Sequence, residues 1–274
     1  VEGFLRTMVS AVVVGSITVE PRSGNPGNVY FYREPFSLNS LGMPNPGLKY
    51  WRQHLPKAVQ RCHDSGKALI MNVAGFSVED YLRLTEMAVE GGADIIEWNF
   101  GCPNIVDGGV QKDIFSFDFE LMNEVARKAE ARVGGDARVA VKVSPYSNPA
   151  DIKRAAAVCN VHEIVKVLVT TNTFPNGFGF RYPEAPAISP NNGLAGTAGP
   201  CLKPIGLGQV VQFKKTLEPS MAIVGVGGVN SGRDVLHYRM VGAVACQVVT
   251  ASIERGKGIF NIILDEYISH STAA

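Results

Sequence analysis

The sequence predicts an α/β fold in which parallel strands alternate with helices. Short apolar runs rich in β-branched residues recur along the 274-residue chain, and longer stretches with helical spacing separate them. Hydrophobic residues make up 46% of the chain, which is ample for one large core. Because repeated strand–helix units build a parallel sheet with helices packed against it, we predict a single domain over residues 1–274.

The first third of the chain supplies the first of these units. Residues 1–8 fit the end of a helix, and the β-branched run at 11–18 predicts a buried strand. Residues 21–26 contain a turn signal, a long irregular section follows to about 47, and loops of that length in compact domains are usually functional. A helix is predicted over 50–65 and a strand over 68–74.

The alternation continues to the end of the chain. Ser77 is placed to cap the next helix, which Gly91-Gly92 closes. Further strands are predicted at 94–99, 139–144, 164–171, 221–226 and 245–250, and further helices at 116–133, 149–159, 204–217, 231–241 and 257–269. The glycine- and proline-rich insertion at 173–203 is expected to form a hairpin over the strand ends, the face on which an active site would lie.

The strand count favours a barrel. Seven strands are predicted, whereas a (β/α)8 barrel needs one more, and a parallel barrel that lacks one member would leave two exposed edges. We therefore expect that the first barrel strand is missing from this sequence. An open, doubly wound sheet is the alternative.

Composition and charge argue against several classes of function. The net charge is +1, so there is no basic surplus that would suggest a nucleic-acid partner. No apolar run reaches ~18 residues, and the N-terminus lacks a charged segment followed by an apolar core, so neither membrane association nor a signal peptide is predicted. The five cysteines are widely spaced without a CxxC pair, which argues against a metal site and for a reduced, cytoplasmic protein.

The loop after the third predicted strand offers reactive groups at close spacing. Residues 99–104 place two carboxamides, Asn99 and Asn104, on either side of the Cys102 thiol. In parallel α/β folds this edge of the sheet binds ligands. Since each asparagine both donates and accepts, the pair can grip an imide-like ligand, and the thiol could transfer a proton. The alternative is a turn with an inert cysteine.

Polar side chains also mark two later strands and one early loop. Lys142 interrupts the apolar strand at 139–144, where a buried ammonium is costly unless it is paired or functional; the alternative is a lysine that extends to solvent. Asn172 follows a strand in the position equivalent to Asn99, so we interpret it as facing a ligand rather than capping a turn. The loop at 39–43 adds a carboxamide and a glycine, which alone are weak indications.

Glycine-rich segments accompany the last strands. Residues 192–199 precede a helix, and residues 225–229 end a strand. Glycines let backbone N–H groups approach a phosphate near a helix N-terminus, and in a barrel the phosphate site usually follows strands seven and eight. With a missing strand counted first, Gly227-Gly228 and Val249-Thr250 fall at that place, which predicts a phosphate-bearing cofactor.

Together, these motifs resemble the dihydroorotate dehydrogenase family over nearly the whole chain. The matching runs are 15–26 (GSITVEPRSGNP), 39–42 (NSLG), the Asn-x-x-Cys-Pro-Asn loop at 99–104, Lys142 before Ser144-Pro145-Tyr146, Asn172-Thr173, 192–204 and 225–228. The ordered series is much more specific than any one of its members. The resemblance implies a (β/α)8 TIM barrel that holds FMN at the carboxyl ends of its strands.

The resemblance also implies a reaction and roles. Dihydroorotate would lose a proton to Cys102 while hydride passes to the flavin, giving orotate in pyrimidine biosynthesis; the branch that uses cysteine as the base is soluble and class 1-like. Lys142 would stabilise negative charge on the reduced flavin. The implied substrate-binding residues are Asn39, Leu41, Gly42, Met43, Asn99, Asn104, Asn172 and Thr173, and the implied FMN-binding residues are Gly15, Ser16, Asn99, Lys142, Thr171, Gly196, Gly227, Gly228, Val249 and Thr250.

Two positions depart from the family pattern. Gly15 stands where cysteine-using members usually have lysine, and Val249 stands where glycine is usual. A related flavin oxidoreductase acting on another dihydropyrimidine is therefore an alternative, and so is a degenerate, non-catalytic barrel. The resemblance further implies fumarate as electron acceptor and a homodimer.

Overall fold

A computed structural model describes residues 1–104, 106–107 and 110–272. Within this part of the chain the helices are α1 (Glu2–Leu5), α2 (Gly47–Asp64), α3 (Val78–Glu90), α4 (Phe119–Val133), α5 (Pro149–Val161), α6 (Lys203–Lys214), α7 (Gly232–Met240), α8 (Thr250–Arg255) and α9 (Ile259–Thr272). The strands are β1 (Ala11–Ile17), β2 (Tyr30–Arg33), β3 (Phe36–Asn39), β4 (Ala68–Val73), β5 (Ile95–Asn99), β6 (Val106–Asp107), β7 (Val110–Gln111), β8 (Val139–Val143), β9 (Val165–Thr170), β10 (Phe174–Gly177), β11 (Phe180–Arg181), β12 (Ala185–Pro186), β13 (Ala195–Ala198), β14 (Ala222–Val226) and β15 (Ala245–Gln247).

The main sheet contains seven parallel strands in the order β1-β4-β5-β8-β9-β14-β15. Spatial order therefore follows chain order throughout. A doubly wound sheet would reverse its order at a switch point, so the doubly wound alternative is wrong. Within the described residues, β1 and β15 are the two ends of this order.

Side-chain contacts between distant strands show that the main sheet is curled. Gln247 on β15, the last strand in order, donates to the carboxylate of Glu97 on β5, the third. In a flat sheet these two strands would lie about 19 Å apart, at roughly 4.8 Å per strand. Asn99 on β5 likewise donates to Ser16 on β1 over 2.8 Å. The interior side chains thus face one another, and the predicted TIM-barrel-like α/β fold is confirmed.

Helices cover the outer face of the curled sheet. Trp98 of β5 is fully buried on that face, and its indole N–H donates to the Thr85 hydroxyl of α3 over 2.9 Å. Tyr238 of α7 packs directly on Gly225 of β14, where a Cβ would lie 2.2 Å from the tyrosine ring. Successive residues of a strand point to opposite faces. Since Trp98 points outward, its neighbours Glu97 and Asn99 point into the interior of the curled sheet.

A separate antiparallel sheet has the order β10-β13-β3-β2. It joins the segment before α2 to the insertion between β9 and α6, with Asn39 paired to Gly196 and Leu38 to Thr197. The prediction that the chain is irregular between the turn at 21–26 and about 47 is therefore wrong over β2 and β3. Each of these strands has only four residues, and β3 finds its second partner in a segment far along the chain. The insertion also contains the β11–β12 hairpin.

The last parallel strand is shorter than predicted. β15 ends at Gln247 and Thr250 begins α8, whereas the sequence predicted a strand over 245–250. Val249 has φ −129° and ψ −67°, which is outside the extended region, and its carbonyl accepts from the Ser252 hydroxyl over 2.7 Å. The chain therefore turns into a helix at the rim of the sheet.

The other predicted helices and strands of the main sheet are present, with ends shifted by a few residues. In the part of the chain that the structure describes, no helix has both the length and the apolar composition needed to cross a bilayer.

Candidate active site

A cleft opens at the carboxyl ends of the parallel strands. Its empty volume is about 1070 Å³, the open mouth included. The main sheet, the β2–β3 hairpin and α8 all contribute to its walls. Ten predicted site residues line it: Asn39, Leu41, Lys142, Thr171, Asn172, Thr173, Gly227, Gly228, Val249 and Thr250.

The other predicted site residues lie outside the cleft lining, and they are Gly15, Ser16, Gly42, Met43, Asn99, Cys102, Asn104 and Gly196. A row of hydrogen bonds connects some of them to it. Asn172 donates to the Asn99 side-chain oxygen over 2.8 Å, and Asn99 donates to the Ser16 hydroxyl over 2.8 Å. The Thr173 backbone N–H donates to the Asn172 oxygen over 2.8 Å, which fixes the orientation of that amide.

A second group of amides joins the Cys102 loop to the antiparallel sheet. Asn104 donates to the Asn39 side-chain oxygen over 2.8 Å and accepts from the Gly196 N–H over 3.0 Å. Asn39 in turn donates to the Gly196 carbonyl over 3.2 Å. These three residues close a ring of hydrogen bonds, so their amide groups are oriented in advance.

The loop that follows β3 is held against the Cys102 loop. The Asn25 side chain donates to the Ser40 carbonyl over 2.9 Å and to the Asn104 carbonyl over 3.3 Å. Arg22 Nε donates to the Gly42 carbonyl over 3.0 Å. Gly42 has φ +72°, and a Cβ there would lie 2.5 Å from the Asn25 side chain, so this turn requires glycine. Met43, next in the chain, is buried.

The thiol of Cys102 sits where its protonation is controlled by burial. Burial raises the pKa of the Cys102 thiol, while the Asn104 backbone N–H and the positive charges of Arg22 and Lys142 act in the opposite direction. The net direction is upward, so the thiol is neutral at pH 7, and the thiolate becomes populated as the pH rises.

Lys142 is paired inside the curled sheet. Its Nζ donates to Gln247 Oε1 over 2.8 Å and lies 3.4 Å from Glu97 Oε1. The Lys142 side chain is 14% exposed and that of Glu97 is 1% exposed. The alternative of a lysine that extends to solvent is therefore wrong.

Gly227 and Gly228 form one wall of the cleft with their backbone. Their φ angles are +120° and +66°, and a Cβ on Gly228 would lie 2.9 Å from the Lys203 nitrogen and 3.0 Å from the Pro200 carbonyl oxygen. The Tyr238 hydroxyl donates to the Gly227 carbonyl over 2.7 Å and fixes the turn. Because these two residues carry no side chain, a ligand can come close to their backbone N–H groups.

The departure at Gly15 has a steric basis. Gly15 has φ +136°, and a Cβ there would lie 2.1 Å from the Asn72 carbonyl oxygen on β4. A lysine at this position would require β1 and β4 to move apart, so the packing of these two strands matches glycine.

Sequence reasoning missed several residues of this region. Glu97 interrupts an apolar strand just as Lys142 does, so the rule applied to Lys142 would have found it. Gln247 was included in an apolar strand and not singled out. Tyr30, whose hydroxyl donates to Glu254 over 2.8 Å, lines the cleft from the hairpin that the sequence did not predict.

Comparison with known proteins agrees with this geometry. The family model described as "Dihydroorotate dehydrogenase" matches residues 2–270. The chain is 33% identical over 264 residues to the dihydroorotate dehydrogenase (fumarate) of Trypanosoma cruzi (strain CL Brener), an alignment that covers 94% of this chain and 80% of that protein. It is 30% identical over 252 residues to the catalytic subunit of dihydroorotate dehydrogenase B (NAD(+)) of Thermoplasma volcanium, covering 92% and 77%.

A solved structure shares the fold. The chain superposes on the ligand-free type DHODH from Eimeria tenella with a TM-score of 0.77 and 22% sequence identity, covering 94% of this chain and 76% of that one. Members of the family matched here are flavin-dependent oxidoreductases. Since the family model spans nearly the whole chain, the chain belongs to the dihydroorotate dehydrogenase family.

Proposed function

We propose that this protein oxidises dihydroorotate to orotate in pyrimidine biosynthesis, with FMN as its cofactor. One observation carries the proposal: Lys142, Asn172 and Gly227 meet around a single cleft, and the row through Asn99 joins that cleft to the strand that leads into the Cys102 loop. A barrel kept only for structure has no need to collect a cation, amides and a thiol at one rim, which argues against the degenerate barrel.

The groups that line the cleft suit the chemistry of FMN. The Gly227–Gly228 backbone offers a wall for a phosphate, and the Thr250 hydroxyl lies 3.2 Å from that of Ser37 on the cleft lining. Thr173 Oγ1 is buried, and no described residue provides it with a hydrogen-bond partner, so it is available to a ligand. We assign FMN binding to the predicted set around Lys142, and the amide groups to the pyrimidine.

The residues of this chain divide the work of the reaction. Bound FMN supplies the acceptor for the hydride. The thiolate form of Cys102 takes a proton from one ring carbon of dihydroorotate while the neighbouring carbon loses the hydride, and the ring gains a double bond. The oriented amides of Asn39, Asn104 and Asn172 hold the ring, which removes part of the entropy cost of reaction. Lys142 places its ammonium where negative charge develops.

We propose fumarate as the substrate that accepts the electrons. The Trypanosoma cruzi relative is named for fumarate, and the Thermoplasma volcanium relative, which is less identical, is named for NAD(+). Anaerobic reoxidation of the dihydroorotate-reduced protein by fumarate, but not by NAD+, would support this assignment. The reverse result would contradict it.

The proposed reaction can be tested by absorption spectroscopy. Purified protein incubated with FMN should show a flavin band, and anaerobic addition of dihydroorotate should bleach it and yield orotate. Cys102→Ala should keep the flavin but bleach at least about 100-fold more slowly, because general-base catalysis contributes that much. Cys62→Ala, a buried cysteine on α2, is the control and should bleach at the wild-type rate.

Two results would contradict these assignments. A wild-type flavin band that persists after dihydroorotate addition would exclude this substrate. Unchanged bleaching in Cys102→Ala would exclude the thiol as the base.

The geometry at Gly15 favours a second candidate, oxidation of another dihydropyrimidine. The close packing of Gly15 on Asn72 leaves no room for the lysine that cysteine-using members usually carry there. If dihydroorotate leaves the flavin band in place while dihydrouracil or dihydrothymine bleaches it, this candidate replaces the first.

We also propose that the protein is cytoplasmic. We further propose that it forms a homodimer, the oligomeric state that the family resemblance implies. Sedimentation velocity of the FMN-loaded protein should give one species of about twice 29.4 kDa. A species of 29.4 kDa at all concentrations would contradict the dimer.

A further inference from the structure

We propose that Glu97 is a positioning residue that balances the charge of Lys142 and, through Gln247, fixes the ammonium on the cleft wall. This inference rests on the proposed function, because its consequence concerns the FMN that Lys142 would meet. Glu97 itself does not line the cleft, so it acts through Lys142.

Four side chains from four strands form the cluster. Glu97 on β5 accepts from Asn72 of β4 over 2.6 Å at Oε1 and from Gln247 of β15 at Oε2. Lys142 of β8 donates to the oxygen of the same Gln247 amide and lies 3.4 Å from Glu97 Oε1. The carboxylate is almost wholly buried, and among the described residues its partners are Asn72, Gln247 and Lys142.

The orientation of the Gln247 amide depends on the charge of Glu97. Both carboxylate oxygens accept, so the Gln247 NH2 group turns toward Glu97 and its oxygen turns toward Lys142. A glutamine at position 97 would present an NH2 group to one of its two donors. If the Gln247 amide turned to accept from that group, its own NH2 group would face the ammonium of Lys142. Glutamate is therefore the one side chain of this size that leaves Lys142 with both acceptors, Gln247 Oε1 and Glu97 Oε1.

This arrangement sets how strongly Lys142 can stabilise a reduced flavin. An ammonium that is already paired with a buried carboxylate gains less from a second negative charge than an unpaired one. Glu97 therefore competes with the reduced cofactor for Lys142. It lowers the reduction potential and keeps the reduced protein a good electron donor toward its acceptor.

The first experiment uses flavin-free protein and measures acetylation of Lys142 by acetic anhydride, followed by mass spectrometry of the Lys142 peptide. Lys142 must leave its two acceptors to meet the reagent, so the loss of one acceptor should free it. Glu97→Gln should therefore speed acetylation of Lys142 by roughly tenfold or more, the weight of a hydrogen bond to a charged group. Gln247→Met removes the bridging amide and should also speed acetylation of Lys142. This variant replaces Glu97→Gln as the test if Glu97→Gln does not fold.

Glu130→Gln is the matched control. Glu130 on α4 is also hydrogen-bonded, to the Ile164 N–H over 2.9 Å, but it lies outside the cleft. Its substitution should leave Lys142 acetylation unchanged. An unchanged acetylation rate in folded Glu97→Gln or Gln247→Met would overturn the proposal.

The second experiment measures the flavin reduction potential of the FMN-loaded proteins. Glu97→Gln should raise the potential, Lys142→Met should lower it, and Glu130→Gln should leave it unchanged. An unchanged or lower potential in Glu97→Gln would refute the competition between Glu97 and the flavin. If the wild-type protein binds no flavin, the proposed function fails, and the acetylation rates still decide whether Glu97 controls Lys142.

Discussion

At the scale of single residues, the chemistry of Cys102 depends on burial. Because burial raises the pKa of its thiol, little thiolate is present at pH 7. The rate of dihydroorotate oxidation should therefore climb with pH, by up to about tenfold per pH unit below the thiol pKa. The measurement is kcat/KM between pH 6 and 10 for the FMN-loaded wild type.

Cys102→Ser is the comparison for this prediction. A serine hydroxyl does not ionise in that range, so the variant should be slower and should lose the slope that belongs to the thiol. A wild-type profile that is flat from pH 6 to 9 would show that Cys102 is not the titrating base.

Single residues also differ in how well sequence patterns predict their place in the site. Lys142 interrupts a recognisable strand, whereas Asn172 and Cys102 follow one, so their place near the rim follows from strand direction. Glu97 shares that property with Lys142, but its partner Gln247 becomes visible only when β15 curls back toward β5. Contacts across the interior of a curled sheet depend on its closure, which no local pattern encodes.

At the scale of elements, the Gly227–Gly228 turn is supported by the start of α7. Asp234 accepts from the Asn230 and Ser231 N–H groups over 2.8 Å each, and it forms an ion pair with Lys203. Burial alone would raise the pKa of the Asp234 carboxyl, but the Lys203 ammonium and the donors at 230 and 231 hold it below its ordinary value. Asp234 therefore stabilises the folded protein when its carboxyl is ionised.

Asp234→Asn should lower the free energy of unfolding at pH 7 by about 1 kcal/mol, because the Lys203 partner loses its charge complement. A carboxyl with a depressed folded pKa stabilises fully above its unfolded pKa, near 3.9, and loses that contribution as the pH falls through the folded value. The deficit of the variant should therefore shrink below about pH 4. Urea unfolding at pH 7 and pH 3 measures it.

Asp265→Asn, an exposed position on α9, is the control for the Asp234 measurement and should be neutral at both pH values. A deficit in Asp234→Asn that is equal at pH 7 and pH 3 would show that ionisation of Asp234 does not contribute.

The elements also differ in how well the sequence predicts them. The parallel strands were predicted because β-branched apolar runs alternate with helical spacing over short distances. The β2–β3 hairpin was missed because its strands are short and because β3 pairs with β13 only through a contact remote in sequence. The early end of β15 was missed because Val249 has high strand propensity, and the helical turn that starts at Thr250 overrides it.

At the scale of the whole molecule, the walls of the cleft come from segments spread between Tyr30 and Arg255, so only the folded chain can bind a ligand there. A ligand that binds only the folded state stabilises it by about 2.7 kcal/mol at a concentration of 100 Kd. FMN should therefore raise the thermal unfolding midpoint in proportion to the logarithm of its concentration. Riboflavin, which has the same ring and no phosphate, should raise it much less, because the Gly227–Gly228 wall then lacks its ligand. The measurement is differential scanning fluorimetry. Equal shifts of the midpoint with FMN and riboflavin would contradict a phosphate contact with the Gly227–Gly228 wall. No shift with either compound would contradict flavin binding in the cleft.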